Sequence, residues 1–69
     1  MGDRLLRVAD VSAKVALEQS TLFEMVRDGR FPRPIRLSSR ASRWSEAEID
    51  AWIDARLAER EGTELHSDT

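Results

Sequence analysis

The chain has 69 residues, of which 41% are hydrophobic and 35% are charged, and it contains no cysteine. A chain of this length forms one small domain, and the lack of cysteine excludes a disulfide framework or a thiolate metal site. No apolar run approaches the ~20 residues that span a bilayer, and no signal-peptide pattern follows the first methionine. We therefore expect a cytoplasmic protein with no membrane contact, no metal and no cofactor.

Charge is distributed unevenly along the chain, although the formal net charge is −2. Residues 27–43 contain six arginines and one acid, whereas residues 44–69 contain eight acids and two arginines. A basic cluster of this kind is typical of proteins that bind phosphate-rich partners. The distribution therefore favours nucleic acid as a partner, which the total charge alone would not.

Apolar residues at helical spacing predict two short helices in the first half of the chain. Residues 4–7 form an edge strand or an extended lead-in, and the first helix covers about 8–15. The second helix runs from residue 19 or 20 to residue 28, where Gly29 ends it. Because only three residues separate the helices, the pattern predicts a helix-turn-helix.

A hairpin is predicted after the second helix, because Pro32 and Pro34 exclude helix there. Residues 35–37 and 42–44 are the predicted strands, and residues 38–41 form the turn between them. A two-stranded hairpin directly after a helix-turn-helix is a wing.

Ser45 and Glu48 predict a capping box that begins a last helix, which runs to about residue 60. The predicted fold class is mainly α with a small β-hairpin: a winged helix-turn-helix of three helices and a two-stranded wing. Residues 1–61 form this domain, and residues 62–69 form a disordered polar tail.

The start of the second helix carries the candidate base-reading residues, because a recognition helix enters the major groove with its N-terminal end. Gln19 can bond an adenine edge, and Ser20 and Thr21 can reach a base or a phosphate. Glu24, one turn further on, can accept a hydrogen bond from a cytosine amino group. Ser20 has an alternative role as the helix cap.

The arginines between the second helix and the end of the hairpin are the candidate phosphate contacts. The predicted wing tip carries Ser38, Ser39 and Arg40, and an arginine there can enter a narrow minor groove. The alternative is a solvated surface with ordinary ion pairs. The six arginines are Arg27, Arg30, Arg33, Arg36, Arg40 and Arg43.

Glu46, Asp50 and Asp54 lie at spacings of four on one face of the last helix, where like charges repel. Either this face is held away from DNA, or it contacts the basic wing of a neighbouring copy. The second arrangement is a head-to-tail contact, which builds open filaments rather than closed dimers. A catalytic or metal-binding role is disfavoured, since the one histidine, His66, lies in the predicted tail.

The aromatic residues have two readings. Trp44 and Trp52 can serve as stacking platforms for single strands. Because Trp52 lies on the apolar stripe of the last helix and Trp44 ends a strand that packs on it, we predict both as core, together with Phe31.

Several motifs in this order resemble the AlpA family of prophage-type regulators, which are related to phage excisionases and to the DNA-binding part of MerR-like proteins. The most specific are Gly-Arg-Phe-Pro-Arg-Pro at 29–34, Trp44, and Glu-Ile-Asp-Ala-Trp-Ile at 48–53. The similarity covers about residues 4–60. It implies a winged helix-turn-helix that binds double-stranded DNA near a promoter or a recombination attachment site. Some relatives activate integrase genes, and others bend DNA as recombination directionality factors, often as cooperative arrays, so an integrase is a further expected partner.

The chain departs from the family pattern at the turn, the recognition helix and the wing. Ala16 replaces a glycine, and because a left-handed backbone is costly for alanine we expect a different turn. Glu18 replaces a serine cap, Gln19 and Glu24 replace basic residues, and Ser38–Ser39 replaces two glycines. These changes shift the expected affinity toward the wing arginines.

The leading hypothesis is a sequence-specific, double-stranded DNA-binding protein of a mobile element, a transcriptional regulator and/or excisionase, associated with the nucleoid when bound and not an enzyme. The alternative is a protein-interaction adaptor that uses the same fold without DNA. The acidic last helix and the net charge of −2 favour the adaptor.

Overall fold

The computed structural model describes residues 3–63, with side chains as far as Glu61. Three helices and three short strands form the predicted winged helix-turn-helix. The first helix has its predicted bounds, and the second ends one residue before the predicted position. The elements are β1 (Leu5–Leu6), α1 (Val8–Val15), α2 (Gln19–Arg27), β2 (Ile35–Ser38), β3 (Ala41–Ser45) and α3 (Glu46–Thr63).

The hairpin has a third strand beside it, so the sheet is larger than the predicted two-stranded wing. Strand order is β1-β3-β2, and both pairings are antiparallel. Leu6 pairs with Trp44, and both side chains are buried. The register shifts between Arg36 and Ser38, which is a β-bulge that increases the local twist of the wing.

The turn between α1 and α2 keeps a left-handed residue, so the expectation that Ala16 would change it is wrong. Ala16 has φ 59° and ψ 40°. Ser12 holds the turn: its carbonyl accepts from the backbone N–H of Leu17 at 3.2 Å, and its hydroxyl donates to the Leu17 carbonyl at 2.5 Å. These bonds to Ser12 stabilise a conformation that alanine alone disfavours.

The core lies between the sheet and the three helices. Its six buried side chains are each at most 4% exposed, and burial of a large apolar side chain contributes about 1.5–3 kcal/mol. The prediction that Trp44 and Phe31 are core is confirmed, and Trp52 is half-buried with its ring 4.8 Å from that of Phe31. The buried residues are Leu6, Val11, Leu22, Phe31, Trp44 and Ile49.

Two indole groups hold the irregular segment between α2 and β2. Trp44 Nε1 donates to the carbonyl of Pro32 at 2.7 Å, and Trp52 Nε1 donates to the carbonyl of Arg30 at 2.9 Å. Gly29, with φ 76°, allows the reversal after α2. The wing therefore leaves α2 in one fixed direction.

The start of α3 is capped from two places in the chain. The backbone N–H of Glu48 donates to Ser45 Oγ at 3.2 Å, as half of the predicted capping box requires. Asp3 Oδ1 accepts from the backbone N–H of Ala47 at 3.0 Å, and Asp3 Oδ2 accepts from the Ser45 hydroxyl. The N-terminal segment thus contributes to the cap.

The last helix is longer than predicted. α3 extends to Thr63, the last described residue, rather than to about residue 60, so Gly62 and Thr63, which were expected to begin the tail, are helical. The rest of the predicted disordered tail, residues 64–69 with His66, lies outside the described residues.

Candidate nucleic-acid interface

Helix α2 presents a continuous exposed face opposite the side that packs on the core. Leu22 is buried, and Met25 and Val26 pack against the core beside it. Thr21 is half-buried, so this predicted reader is partly covered. The exposed residues of the outer face are Gln19, Ser20, Phe23, Glu24 and Arg27.

The wing tip forms where it was predicted. Ser38, Ser39 and Arg40 are exposed, and the Arg40 backbone N–H donates to Ser38 Oγ at 3.2 Å, which closes the turn. On the neighbouring strand, Arg43 Nη1 donates to the Ser42 carbonyl at 2.9 Å. This bond holds the Arg43 guanidinium beside the hairpin.

A shallow, open groove lies between the wing, α2 and the start of α1. Phe23 of α2 and Trp44 line its apolar part. All the charged side chains that line it are arginines: Arg7, Arg36, Arg40 and Arg43. Such a groove attracts anions, because four positive charges share one concave surface without an acid among the lining residues. We call this surface the arginine groove.

The groove gathers only part of the predicted site. Arg36, Ser39, Arg40 and Arg43 line it, whereas Gln19, Ser20 and Thr21, at the N-terminal end of α2, do not. Arg7 was not predicted as a site residue. The sequence feature that points to Arg7 is its position between β1 and α1. Because β1 pairs with β3, Arg7 lies beside the wing.

The remaining predicted arginines lie elsewhere. Arg33 lines a separate depression against α3, with Trp52 and Glu48. Arg30 is exposed and lies 3.8 Å from the carboxylate of Asp28. Their part in DNA contact stays a prediction.

The acidic face of α3 has a partner within the same chain. Lys14 Nζ lies 2.8 Å from Asp50 Oδ1 and 3.0 Å from Glu46 Oε2. These two hydrogen bonds raise the pKa of Lys14, and the bond to Asp50 contributes more than the bond to Glu46. Lys14 therefore offsets the repulsion between the two carboxylates, while Asp54 is exposed one turn further along α3.

Among the side chains that the structure describes, aspartate and glutamate form no cluster of three suited to a metal ion. Within the same part of the chain, no helix has the length and apolar character needed to cross a membrane.

A helix-turn-helix with an exposed outer helix face, followed by a wing beside an arginine groove, defines a winged helix-turn-helix protein with an anion-attracting cleft. The family model described as "Prophage CP4-57 regulatory protein (AlpA)" matches residues 4–57. The chain belongs to this family of prophage regulatory proteins. The resemblance carried by residues 29–34 and the start of α3 is thereby confirmed.

A phage protein is also similar to this chain. It is "Uncharacterized protein ORF88" of Enterobacteria phage P4, 36% identical over 58 residues. The match covers 84% of this chain and 66% of the relative, so the chain spans just under two thirds of that relative's length. No solved structure matches the chain.

Proposed function

We propose that the protein binds double-stranded DNA sequence-specifically and acts as a transcriptional regulator, an excisionase, or both, for a mobile element. The observation that carries the proposal is the arginine groove beside an exposed recognition helix. Helix α2 enters the major groove, and the wing contacts the backbone and the adjacent minor groove. The protein acts in the cytoplasm, bound to the nucleoid, and an integrase is its partner if it controls excision.

The groove supplies affinity and α2 supplies specificity. Each arginine that contacts a phosphate releases counterions. Each such contact therefore makes the slope of the logarithm of the binding constant against the logarithm of the salt concentration more negative by about 0.9. Arg40 at the wing tip is suited to a narrow minor groove. Gln19, Ser20, Thr21 and Glu24 are the polar side chains placed to read base edges.

Binding is assisted by contact between copies along the DNA. Arginines of one wing face the acidic helix of the next copy, which is a head-to-tail arrangement. Asp54 is the central acid in this contact, because Lys14 of the same chain already holds Glu46 and Asp50.

The test is binding to duplexes recovered by repeated selection from a random-sequence library. We expect an enriched consensus, tight binding at low salt, and loss of the gel shift as salt rises to about 0.3 M. Recovery of no consensus, together with no shift at any salt, would contradict DNA binding.

That contrary result would support the adaptor instead. Its favouring observation is a second shallow groove, between α1 and α3, with an apolar floor of Val15, Trp52, Ile53 and Leu57. Lys14, which pairs with Asp50 on the acidic side of α3, lines this second groove.

A further inference from the structure

Phe23 is an apolar side chain on the exposed face of an otherwise polar helix surface. It is 48% exposed, between Gln19 one turn before it and Arg27 one turn after it. The other large hydrophobic side chains that are exposed in the described part of the chain lie on other elements: Leu5, Ile35, Leu37 and Leu57. An aromatic ring left in water at this position has apolar area available for a partner.

One side of the Phe23 ring contacts the buried Trp44. Its centroid lies 5.9 Å from that of Trp44, with the planes tilted by 53°. Trp44 is fully buried and hydrogen-bonded to the Pro32 carbonyl. This contact reduces the cost of ordering Phe23 on binding, because part of its surface is already packed.

Phe23 also lies where α2 meets the arginine groove, with Arg36 and Arg43 on the wing side. With α2 in the major groove, as proposed above, this exposed ring is available to contact base edges beside α2. The apolar group that bases display there is the 5-methyl of thymine, and phenylalanine is among the side chains that contact it.

We propose that Phe23 reads thymine by packing against its 5-methyl group, and so determines specificity at one or two positions of the site. This inference rests on the proposed function, since it requires α2 in the major groove. Burial of one methyl group against the ring corresponds to about a fourfold change in affinity.

The probe is the selected duplex with each thymine replaced in turn by uracil, which removes the methyl and keeps every hydrogen-bonding group. At one or two positions we expect wild-type protein to bind about fourfold more weakly. In Phe23→Ala this uracil penalty should vanish. The matched control is Leu57→Ala, which removes an exposed apolar side chain from α3 and should keep the full penalty.

A second measurement uses wild-type protein, so it does not depend on the variant folding. 5-Iodouracil at the sensitive position places iodine where the methyl was, and irradiation should crosslink the peptide that contains Phe23. A crosslink to another peptide overturns the inference.

Two binding results also overturn it: no uracil penalty at any position, or a penalty that persists in Phe23→Ala. Both leave the proposed function intact, because the duplex still binds. Failure to bind any duplex instead contradicts the proposed function itself.

Discussion

Asp3 caps a helix that begins more than forty residues further along the chain, since its Oδ1 accepts from the backbone N–H of Ala47 at 3.0 Å. The hydrogen bond from the Ser45 hydroxyl, followed by that from the Ala47 amide, lowers the pKa of Asp3. Ionised Asp3 therefore stabilises the fold above the ordinary aspartate range, and that contribution is lost as the pH falls through its lowered pKa.

We expect Asp3→Ala to lower the melting temperature at pH ~7 and to differ less from wild type at pH ~2, because the stabilisation by ionised Asp3 is lost as the pH falls through its lowered pKa. Thermal unfolding followed by circular dichroism measures both. Asp54→Ala, which removes an acid from the exposed middle of the same helix, is the control. If the melting temperatures of wild type and Asp3→Ala differ by the same amount at both pH values, the cap does not depend on the charge of the carboxylate.

The position of Asp3 shows what the sequence does and does not predict. Helices α1 and α2 follow from apolar spacing, and the wing follows from two prolines and an alternating segment. The pairing of Leu5–Leu6 with β3 is a long-range contact of only two residues, so no local periodicity indicates it. The cap from Asp3 depends on that pairing, so neither followed from the interpretation of residues 4–7 as an edge strand or an extended lead-in.

Because Ala16 has a left-handed conformation, we expect substitution by glycine to have opposite effects on stability at Ala16 and at Ala13. Ala16→Gly should stabilise the fold by up to about 1 kcal/mol, because glycine adopts a positive φ without the Cβ cost. Ala13→Gly, in the exposed middle of α1, should destabilise it by about 1 kcal/mol.

Denaturant unfolding of both variants measures the two effects in one host. If Ala16→Gly is as destabilising as Ala13→Gly, the bonds from Ser12 have removed the strain at the turn.

The arginine groove predicts a strong effect on DNA binding from two side chains. Arg40→Ala with Arg43→Ala should weaken binding to the selected duplex about tenfold and reduce the salt slope by about 2, the value for two lost phosphate contacts. Titration by fluorescence anisotropy at several salt concentrations gives both quantities.

Arg56→Ala is the matched control for the groove variants. Its guanidinium lies 5.3 Å from the centre of the Trp52 ring and pairs with Glu59 on α3, outside the arginine groove. An equal loss of affinity in the control would show that the effect is one of total charge.

The acidic face of α3 predicts opposite changes in cooperative binding. Asp54→Asn should lower the cooperativity constant by up to about fivefold, the upper limit for an exposed ion pair. Lys14→Met should raise it, because Glu46 and Asp50 lose their partner within the chain.

Duplexes with one and with two adjacent sites separate cooperativity from single-site affinity, which neither change should alter. If the two variants shift cooperativity in the same direction, the wing of a neighbouring copy does not use this face.

The candidate site was less predictable than the fold because it depends on which side of each element faces the groove. Arg36 and Arg33 lie three residues apart, yet one lines the arginine groove and the other faces α3. The extended segment after Gly29 sets this difference, and its direction comes from tryptophan contacts that spacing does not reveal. Phe23 was missed for the same reason, since an apolar residue on a helix is expected in the core.

The two indole bonds to the segment between α2 and β2 have a consequence for the DNA. The Pro32 and Arg30 carbonyls accept hydrogen bonds from Trp44 and Trp52. These bonds hold α2 and the wing at a fixed distance from each other. If α2 and the wing contact DNA as proposed, we expect binding to require a fixed distance along the duplex between the two contacted parts of the site. A site with one base pair inserted between the parts touched by helix and wing should bind as poorly as unrelated DNA, even though every contacted base is present.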